Sequence, residues 1–168
     1  MKSVYLCGFM GCGKSTIGKI LAKKLGLEFY DLDTYIEEKA GMTIPEIFEK
    51  YGETHFRTLE SDALLEFRDK KGVVATGGGA LLSEKNAEIA NSCGITVFID
   101  TDFSICYERI KDDKNRPIAY NSTKEQLFER FSTRYPLYKS HSKISCDGNN
   151  SPNMICEEIT DSIKIFSA

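Results

Sequence analysis

The segment Gly8-Phe9-Met10-Gly11-Cys12-Gly13-Lys14-Ser15 decides how the rest of this 168-residue sequence is interpreted. It matches the pattern G-x-x-x-x-G-K-[ST] at every position. The apolar run Val4–Cys7 precedes it, and Thr16–Leu25 follows with apolar residues at helical spacing. A glycine-rich loop between a strand and a helix offers backbone N–H groups and a helix N-terminus to phosphate. The sequence therefore predicts a nucleotide site in which Lys14 contacts the β- and γ-phosphates and Ser15 ligates Mg²⁺; the alternative is a chance match in a glycine-rich turn.

Predicted strands and helices alternate along the rest of the chain, which favours parallel pairing. The predicted strands are Val4–Cys7, Phe29–Leu32, Val73–Thr76, Ile95–Ile99 and Ile144–Cys146. The predicted helices are Thr16–Leu25, Thr43 to near Gly52, Glu53–Lys70, Ser83 to about Asn91, Asp102–Lys111, Lys124–Tyr135 and Pro152–Phe166. We therefore predict one domain, residues 1–168, with an α/β fold: a three-layer α/β/α sandwich around a central five-stranded parallel sheet of the P-loop NTPase type.

The composition is that of an ordinary globular domain, with 41% hydrophobic and 28% charged residues. A net charge of -3 argues against a general surface for nucleic acid or anionic membranes. No apolar run reaches the length of a membrane span. None of the six cysteines forms a C-x-x-C pair, so we expect reduced thiols and a cytoplasmic location.

Two aspartates, Asp31 and Asp33, lie at the end of the second predicted strand. Ligands of parallel α/β sheets bind outside the carboxyl ends of the strands. On a straight strand these two carboxylates would share a face, one acting on Mg²⁺-bound water and the other on a substrate hydroxyl. The alternative is a solvated pair that merely ends the strand.

Glycines and arginines extend this pattern. The triplet Gly77-Gly78-Gly79 follows the third predicted strand, which suggests close approach by a ligand or chain, although a plain flexible turn is the alternative. Arginine grips carboxylate and phosphate with a planar pair of donors, so Arg57 and Arg134 are candidates for binding an anionic substrate. Arg116 lies in the polar segment Asp112–Thr123, which we predict to be a mobile lid loop over the phosphates. Taken alone, each of these arginines is more often a surface salt-bridge residue than a ligand-binding one.

Among P-loop proteins, a GTPase is disfavoured because no N-K-x-D segment is present, and a motor ATPase would need more chain. A small-molecule kinase fits the length.

Taken in order, these segments resemble shikimate kinases over nearly the whole chain. The resemblance rests on the following residues: Gly8–Ser15, Asp31-x-Asp33, Phe56-Arg57-x-x-Glu60, Gly77–Gly79, Arg116-Pro117 and Arg134-x-x-x-Tyr138. It implies catalytic roles for Lys14, Asp33 and Arg116, with Asp33 holding the substrate hydroxyl. It implies ATP binding by Gly11, Cys12, Gly13, Lys14, Ser15, Thr16, Arg109, Arg116 and Pro152. It implies substrate binding by Asp33, Arg57, Gly77, Gly78, Gly79 and Arg134, with the substrate-binding helices at about residues 33–61. It implies Mg²⁺ binding by Ser15 and, through water, by Asp31.

The activity implied by the resemblance is transfer of the ATP γ-phosphoryl group to the 3-hydroxyl of shikimate, a step toward chorismate and the aromatic amino acids. The expected partners are ATP and shikimate, with Mg²⁺ as cofactor, no nucleic acid or membrane, and a monomeric protein. The sequence leaves two alternatives: a kinase for another small metabolite, such as gluconate or a nucleoside monophosphate, and a nucleotide-binding regulator without catalysis.

Overall fold

Five short strands form a single parallel sheet in the computed structural model, which describes residues 2–167. The strands are β1 (Ser3–Cys7), β2 (Glu28–Asp31), β3 (Gly72–Ala75), β4 (Gly94–Asp100) and β5 (Ile144–Asp147). Their order across the sheet is β2-β3-β1-β4-β5. The predicted five-stranded parallel sheet is therefore confirmed, with each strand within a few residues of its predicted position.

The central strand β1 is buried along its whole length, which explains why its sequence reads as a continuous apolar run. Val4 is in register with Val73 of β3 on one side and Ile95 of β4 on the other. The chain therefore leaves β1 between two neighbouring strands, at the point where an open parallel sheet forms its ligand crevice. This position sets the location of the glycine-rich loop.

Helices enclose the sheet as predicted. Their bounds are α1 (Lys14–Leu25), α2 (Leu32–Ala40), α3 (Ile44–Tyr51), α4 (Glu53–Glu66), α5 (Glu84–Cys93), α6 (Phe103–Ile110), α7 (Pro117–Tyr120), α8 (Lys124–His141) and α9 (Pro152–Ser167). Helix α1 packs against α9, while α4, α5 and α8 form a second group. Short 3₁₀ turns follow α4 at Phe67–Asp69, within the predicted Glu53–Lys70 helix, and precede α5 at Ala80–Leu82. Across residues 2–167, no helix has the length and apolarity needed to cross a bilayer.

Helix α2 was missing from the predicted elements, and its presence corrects the predicted geometry of the aspartate pair. The strand ends at Asp31, whose Oδ1 accepts a hydrogen bond from the backbone N–H of Thr34 at 3.1 Å and so caps α2. Asp33 therefore lies in the first turn of a helix. The prediction that Asp31 and Asp33 share a face of a straight strand is wrong, because the short polar side chain of Asp31 starts a helix there.

Helix α8 continues past its predicted end at Tyr135 and includes Pro136 within its length. A proline inside a helix removes one backbone hydrogen bond, so the local pattern predicts an earlier end. Packing beyond the proline compensates for that loss. Tyr138 is 2% exposed and its ring stacks on Phe98, with 5.5 Å between centroids.

The segment predicted to be an irregular lid, Asp112–Thr123, contains the short helix α7. Pro117 occupies the first position of this helix, where its missing N–H has no cost. The prediction that the segment has no secondary structure is therefore wrong, and its mobility stays a prediction.

Candidate active site

The glycine-rich loop joins the carboxyl end of β1 to the first residue of α1, Lys14. Gly13 stands at the N-cap of α1 with φ of 100°, a conformation that favours glycine, and makes no side-chain cap. The first backbone N–H groups of the helix are therefore left for an anion. The Lys14 ammonium donates to the carbonyl oxygens of Gly8 at 2.7 Å and Phe9 at 3.3 Å, which holds it over the loop.

A cavity of about 1130 Å³ opens above this loop. Its lining includes most of the residues that the sequence predicted for the site: Gly11, Cys12, Gly13, Lys14, Ser15, Thr16, Asp31, Asp33, Gly77, Gly78, Arg109, Arg116 and Pro152. Residues predicted for ATP thus share one cavity with residues predicted for the phosphoryl acceptor. Arg57, Gly79 and Arg134 lie beside it, through contacts with the glycine turn described below.

Arg109 and Pro152 lie at the nucleotide side of this cavity. The Arg109 guanidinium donates to the carbonyl oxygen of Gly11 at 2.8 Å, which fixes the arginine against the glycine-rich loop. Pro152 begins α9 and lines the same cavity, together with Gly148 and Asn150. These residues, far apart in sequence, therefore line the same cavity as the glycine-rich loop.

Asp33 lies in an environment that favours the protonated form of its carboxyl group. Burial raises the pKa of its carboxyl, and the negative charge of Asp31 adds to this effect, whereas Lys14 and Arg57 oppose it. Asp33 Oδ1 also lies very close to Gly77, where an added Cβ would stand only 2.6 Å from it. The absence of a side chain at Gly77 thus gives Asp33 its place at the cavity.

Asp31 has a different environment and offers an oxygen ligand. Its Oδ2 accepts a hydrogen bond from the Ser15 hydroxyl at 3.2 Å. A hydroxyl and a carboxylate are hard oxygen donors of the type that Mg²⁺ takes, usually in small number, with phosphate and water completing the shell. No cluster of three or more His, Cys, Asp or Glu residues suited to a metal occurs within residues 2–167. The residues present therefore fit Mg²⁺ bound together with nucleotide phosphates.

Arg57 projects from α4 toward the glycine turn. An added Cβ at Gly79 would stand 2.5 Å from Arg57 Nη1, so the turn and the guanidinium are in close contact. Arg57 pairs with Glu60 at 2.6 Å and with Glu53 at 3.3 Å. The Glu60 side chain is 1% exposed whereas that of Arg57 is 36% exposed, so Glu60 holds the guanidinium from the protein side and leaves its other face open. Burial raises the pKa of Glu60, and Arg57 opposes this shift.

Arg134 and Tyr138 reach the same turn from α8. Arg134 Nη1 donates to the carbonyl oxygen of Gly78 at 3.4 Å, and the Tyr138 hydroxyl donates to that same oxygen. Tyr138 and Glu60 were part of the sequence pattern, but no role was assigned to either. Their signal was their spacing, because each lies three or four residues from a predicted arginine and therefore on the same side of its helix.

The lid arginine is held by a neighbour that the sequence analysis did not single out. Arg116 Nε lies 3.2 Å from Asp113 Oδ2, and the Arg116 side chain is 45% exposed. Both residues line the cavity. An exposed ion pair of this kind is weak, so it leaves Arg116 able to turn toward a bound phosphate.

The comparisons with known proteins agree with this geometry. A family model described as shikimate kinase matches residues 10–164. Curated shikimate kinases from Sulfurihydrogenibium sp. and Aquifex aeolicus are 41% and 40% identical, over 98% and 96% of this chain and 99% and 95% of theirs. A solved shikimate kinase from Acinetobacter baumannii, in complex with shikimate, superposes with a TM-score of 0.90 at 39% identity, covering 97% of this chain and 93% of its own. A deoxyadenosine kinase from M. mycoides, at 16% identity and a TM-score of 0.65, shares the fold alone. With a family model that spans most of its length and relatives of this similarity, the chain belongs to the shikimate kinase family.

Proposed function

We propose that this protein transfers the γ-phosphoryl group of ATP to the 3-hydroxyl of shikimate, producing ADP and shikimate 3-phosphate. The observation that supports this most directly is the shared cavity, which is lined both by the glycine-rich loop with Lys14 and by Asp33 with the Gly77-Gly78 turn. Such an arrangement brings a nucleotide phosphate and an acceptor hydroxyl together, and this proximity supplies much of the catalysis of phosphoryl transfer.

The nucleotide side of the proposed site uses backbone and cationic groups. The amides of Gly11, Gly13 and the first residues of α1 bind the phosphates, while Cys12 and Thr16 complete the loop. Lys14 leaves the carbonyl oxygens of the loop and contacts the β- and γ-phosphates, where its charge stabilises the transition state. Arg109 and Pro152 flank the adenine.

The acceptor side uses carboxylate, guanidinium and glycine. Asp33 accepts a hydrogen bond from the 3-hydroxyl and takes its proton as the hydroxyl oxygen forms a bond to the γ-phosphorus. The bond from that phosphorus to the bridging oxygen breaks in line, and its electron pair leaves with ADP. Arg57 and Arg134 bind the substrate carboxylate, and the turn Gly77–Gly79 allows the ring to approach the backbone closely.

Ser15 directly, and Asp31 through water, hold Mg²⁺ against the phosphates in this proposal. When bound, the ion neutralises charge on the β- and γ-phosphate oxygens. Arg116 then leaves Asp113 and contacts the transferred group as the lid, residues 112–123, covers the site. Closure of this kind excludes water and limits wasteful ATP hydrolysis.

The wider setting is also part of the proposal. We infer a monomer with a single domain, residues 1–168, whose substrate-binding helices lie within about residues 33–61. A cytoplasmic location and a role in chorismate and aromatic amino acid biosynthesis follow from the proposed reaction. Nucleic acid and membranes are not expected as partners, in keeping with the net charge of -3.

The test is ADP release with Mg·ATP in the presence of shikimate, gluconate, AMP or no acceptor, with Lys14→Met as the inactive control. Stimulation by shikimate alone is the expected result. Stimulation by gluconate or AMP alone would show that the proposed substrate is wrong and that the protein is a kinase for another acceptor. No stimulation by any acceptor, together with measurable ATP binding, would favour a nucleotide-binding regulator and overturn the proposal.

A further inference from the structure

Arg130 lies on α8, four residues before Arg134. Residues four apart on a helix stack on one side of it, so Arg130, Arg134 and Tyr138 form a continuous row. The last two residues of this row both bond to the carbonyl oxygen of Gly78. Arg130 therefore occupies the next turn along a ridge that meets the glycine turn.

Arg57 forms ion pairs beside this row, whereas the two arginines of the row form none among residues 2–167. Glu53 and Glu60 both pair with Arg57. Within residues 2–167, neither Arg130 nor Arg134 has a carboxylate within ion-pair distance. Two like charges one helical turn apart repel each other, and neither forms a direct ion pair among the described residues.

Arg130 is also partly withdrawn from water. Burial lowers its pKa, and the positive charges of Arg134 and Arg57 lower it further, whereas Glu53 and Tyr138 oppose the shift. A half-buried guanidinium without a paired anion is costly, and a bound carboxylate would offset this cost. An anion bound near Arg57 and Arg134 would therefore also be attracted by Arg130.

We propose that Arg130 is a specificity residue of the substrate site, which joins Arg57 and Arg134 in binding the carboxylate of the acceptor. The inference rests on the proposed function and deepens it. A carboxylate has two oxygens that together accept about four hydrogen bonds, so it can take donors from more than one guanidinium. Arg130 acts on binding and on the choice between anionic and neutral acceptors, because the carboxylate takes no part in the bond changes at the 3-hydroxyl.

The experiment compares Arg130→Met, which removes the charge and keeps the apolar stem, with Arg130→Lys, which keeps the charge without the planar fork. Lys139→Met is the matched control, because it removes a positive charge from an exposed position on the opposite side of the same helix. Calorimetric titration gives the Kd of shikimate, of its uncharged primary amide and of ATP for each protein. Steady-state assays give KM and kcat.

The methionine variant should bind shikimate about tenfold more weakly and the lysine variant less so, because a charge-assisted hydrogen bond is lost in the first and partly kept in the second. Binding of the amide and of ATP, and kcat at saturating shikimate, should stay within about twofold of the parent protein. Lys139→Met should match the parent throughout.

An unchanged Kd of shikimate for Arg130→Met would overturn the inference. An equal rise in the Kd of shikimate and of its amide would also overturn it, because that result would reveal a structural role for Arg130. If the methionine variant does not fold, Arg130→Lys must still weaken shikimate binding selectively for the inference to stand. If the parent protein phosphorylates shikimate and the variants bind it normally, the role of Arg130 is contradicted but the proposed function is not. Parent protein that neither binds nor phosphorylates shikimate contradicts the proposed function as well.

Discussion

Replacing Gly77 with alanine should disable the acceptor side of the site without unfolding the protein. The added Cβ would stand 2.6 Å from Asp33 Oδ1 and 3.1 Å from its Cγ, whereas ordinary contact begins at 3.4 Å. The carboxylate must therefore withdraw by about 0.8 Å to restore normal packing. The backbone of Gly77 is not in the left-handed region, so alanine adds no conformational strain there.

The size of the effect follows from this displacement. A shift of about 1 Å in a group that positions the reacting atom can cost about 100-fold in rate. We expect kcat/KM for shikimate to fall by about two orders of magnitude, with the Kd of ATP unchanged because the glycine-rich loop is untouched. The assay is coupled ADP release, together with thermal unfolding to determine the fraction of folded protein.

Gly26→Ala is the matched control for this experiment. Gly26 ends α1 with φ of 66° and has open space around its Cβ position, so alanine there adds backbone strain but no contact. This variant should lose about 1 kcal/mol of stability and retain normal kcat/KM. Near-normal turnover by Gly77→Ala would refute the reasoning, and so would a loss of activity that merely tracks unfolding in both variants.

Three further predictions concern side chains at the cavity. Lys14→Met should lower kcat by at least about two to three orders of magnitude while the protein still folds, and near-normal turnover would contradict its role. Asp33→Asn should abolish most turnover yet raise Tm at neutral pH, because burial raises the pKa of Asp33 and its ionisation therefore costs the folded state free energy. That gain in Tm should disappear as pH falls below the ordinary value of 3.8, and a gain independent of pH would point to another cause. Arg134→Met should chiefly raise the KM for shikimate, and an equal rise in KM for its uncharged amide would argue against a carboxylate contact.

Part of the fold and site could be predicted because its determinants are local. The glycine-rich loop, the buried strand before it and the helix after it are encoded within about two dozen consecutive residues. Polar caps and apolar periodicity located most other elements, as at Thr43, whose capping box with Glu46 is present in the structure. The predicted cavity residues around Lys14 and Asp33 followed from the rule that parallel strands present ligands at their carboxyl ends.

Other features were decided by contacts between distant segments. The sequence around Pro136 predicts a helix end, but α8 continues because Tyr138 is buried against Phe98 and bonded to Gly78, 60 residues earlier. Local propensity could not foresee this continuation, because tertiary packing outweighs it. The start of α2 was missed for another reason: its signal is one local hydrogen bond, in which the Asp31 side chain caps the helix and places Asp33 in its first turn.

By itself, the sequence determined the chemistry available to this protein: a phosphate loop, an acidic pair, a glycine turn and a few arginines, each recognisable from neighbours within a few residues. Only the tertiary structure decided which of these groups meet. The order of strands in the sheet brings α4, α8 and the turn after β3 together, so that Arg57 and Arg134 both contact the glycine turn beside the cavity. The pair of Arg57 with Glu60 follows helical spacing, whereas the packing of α8 leaves Arg130 without a partner carboxylate among the described residues. Contacts between separate elements depend on distances across the fold, which spacing along the chain does not encode.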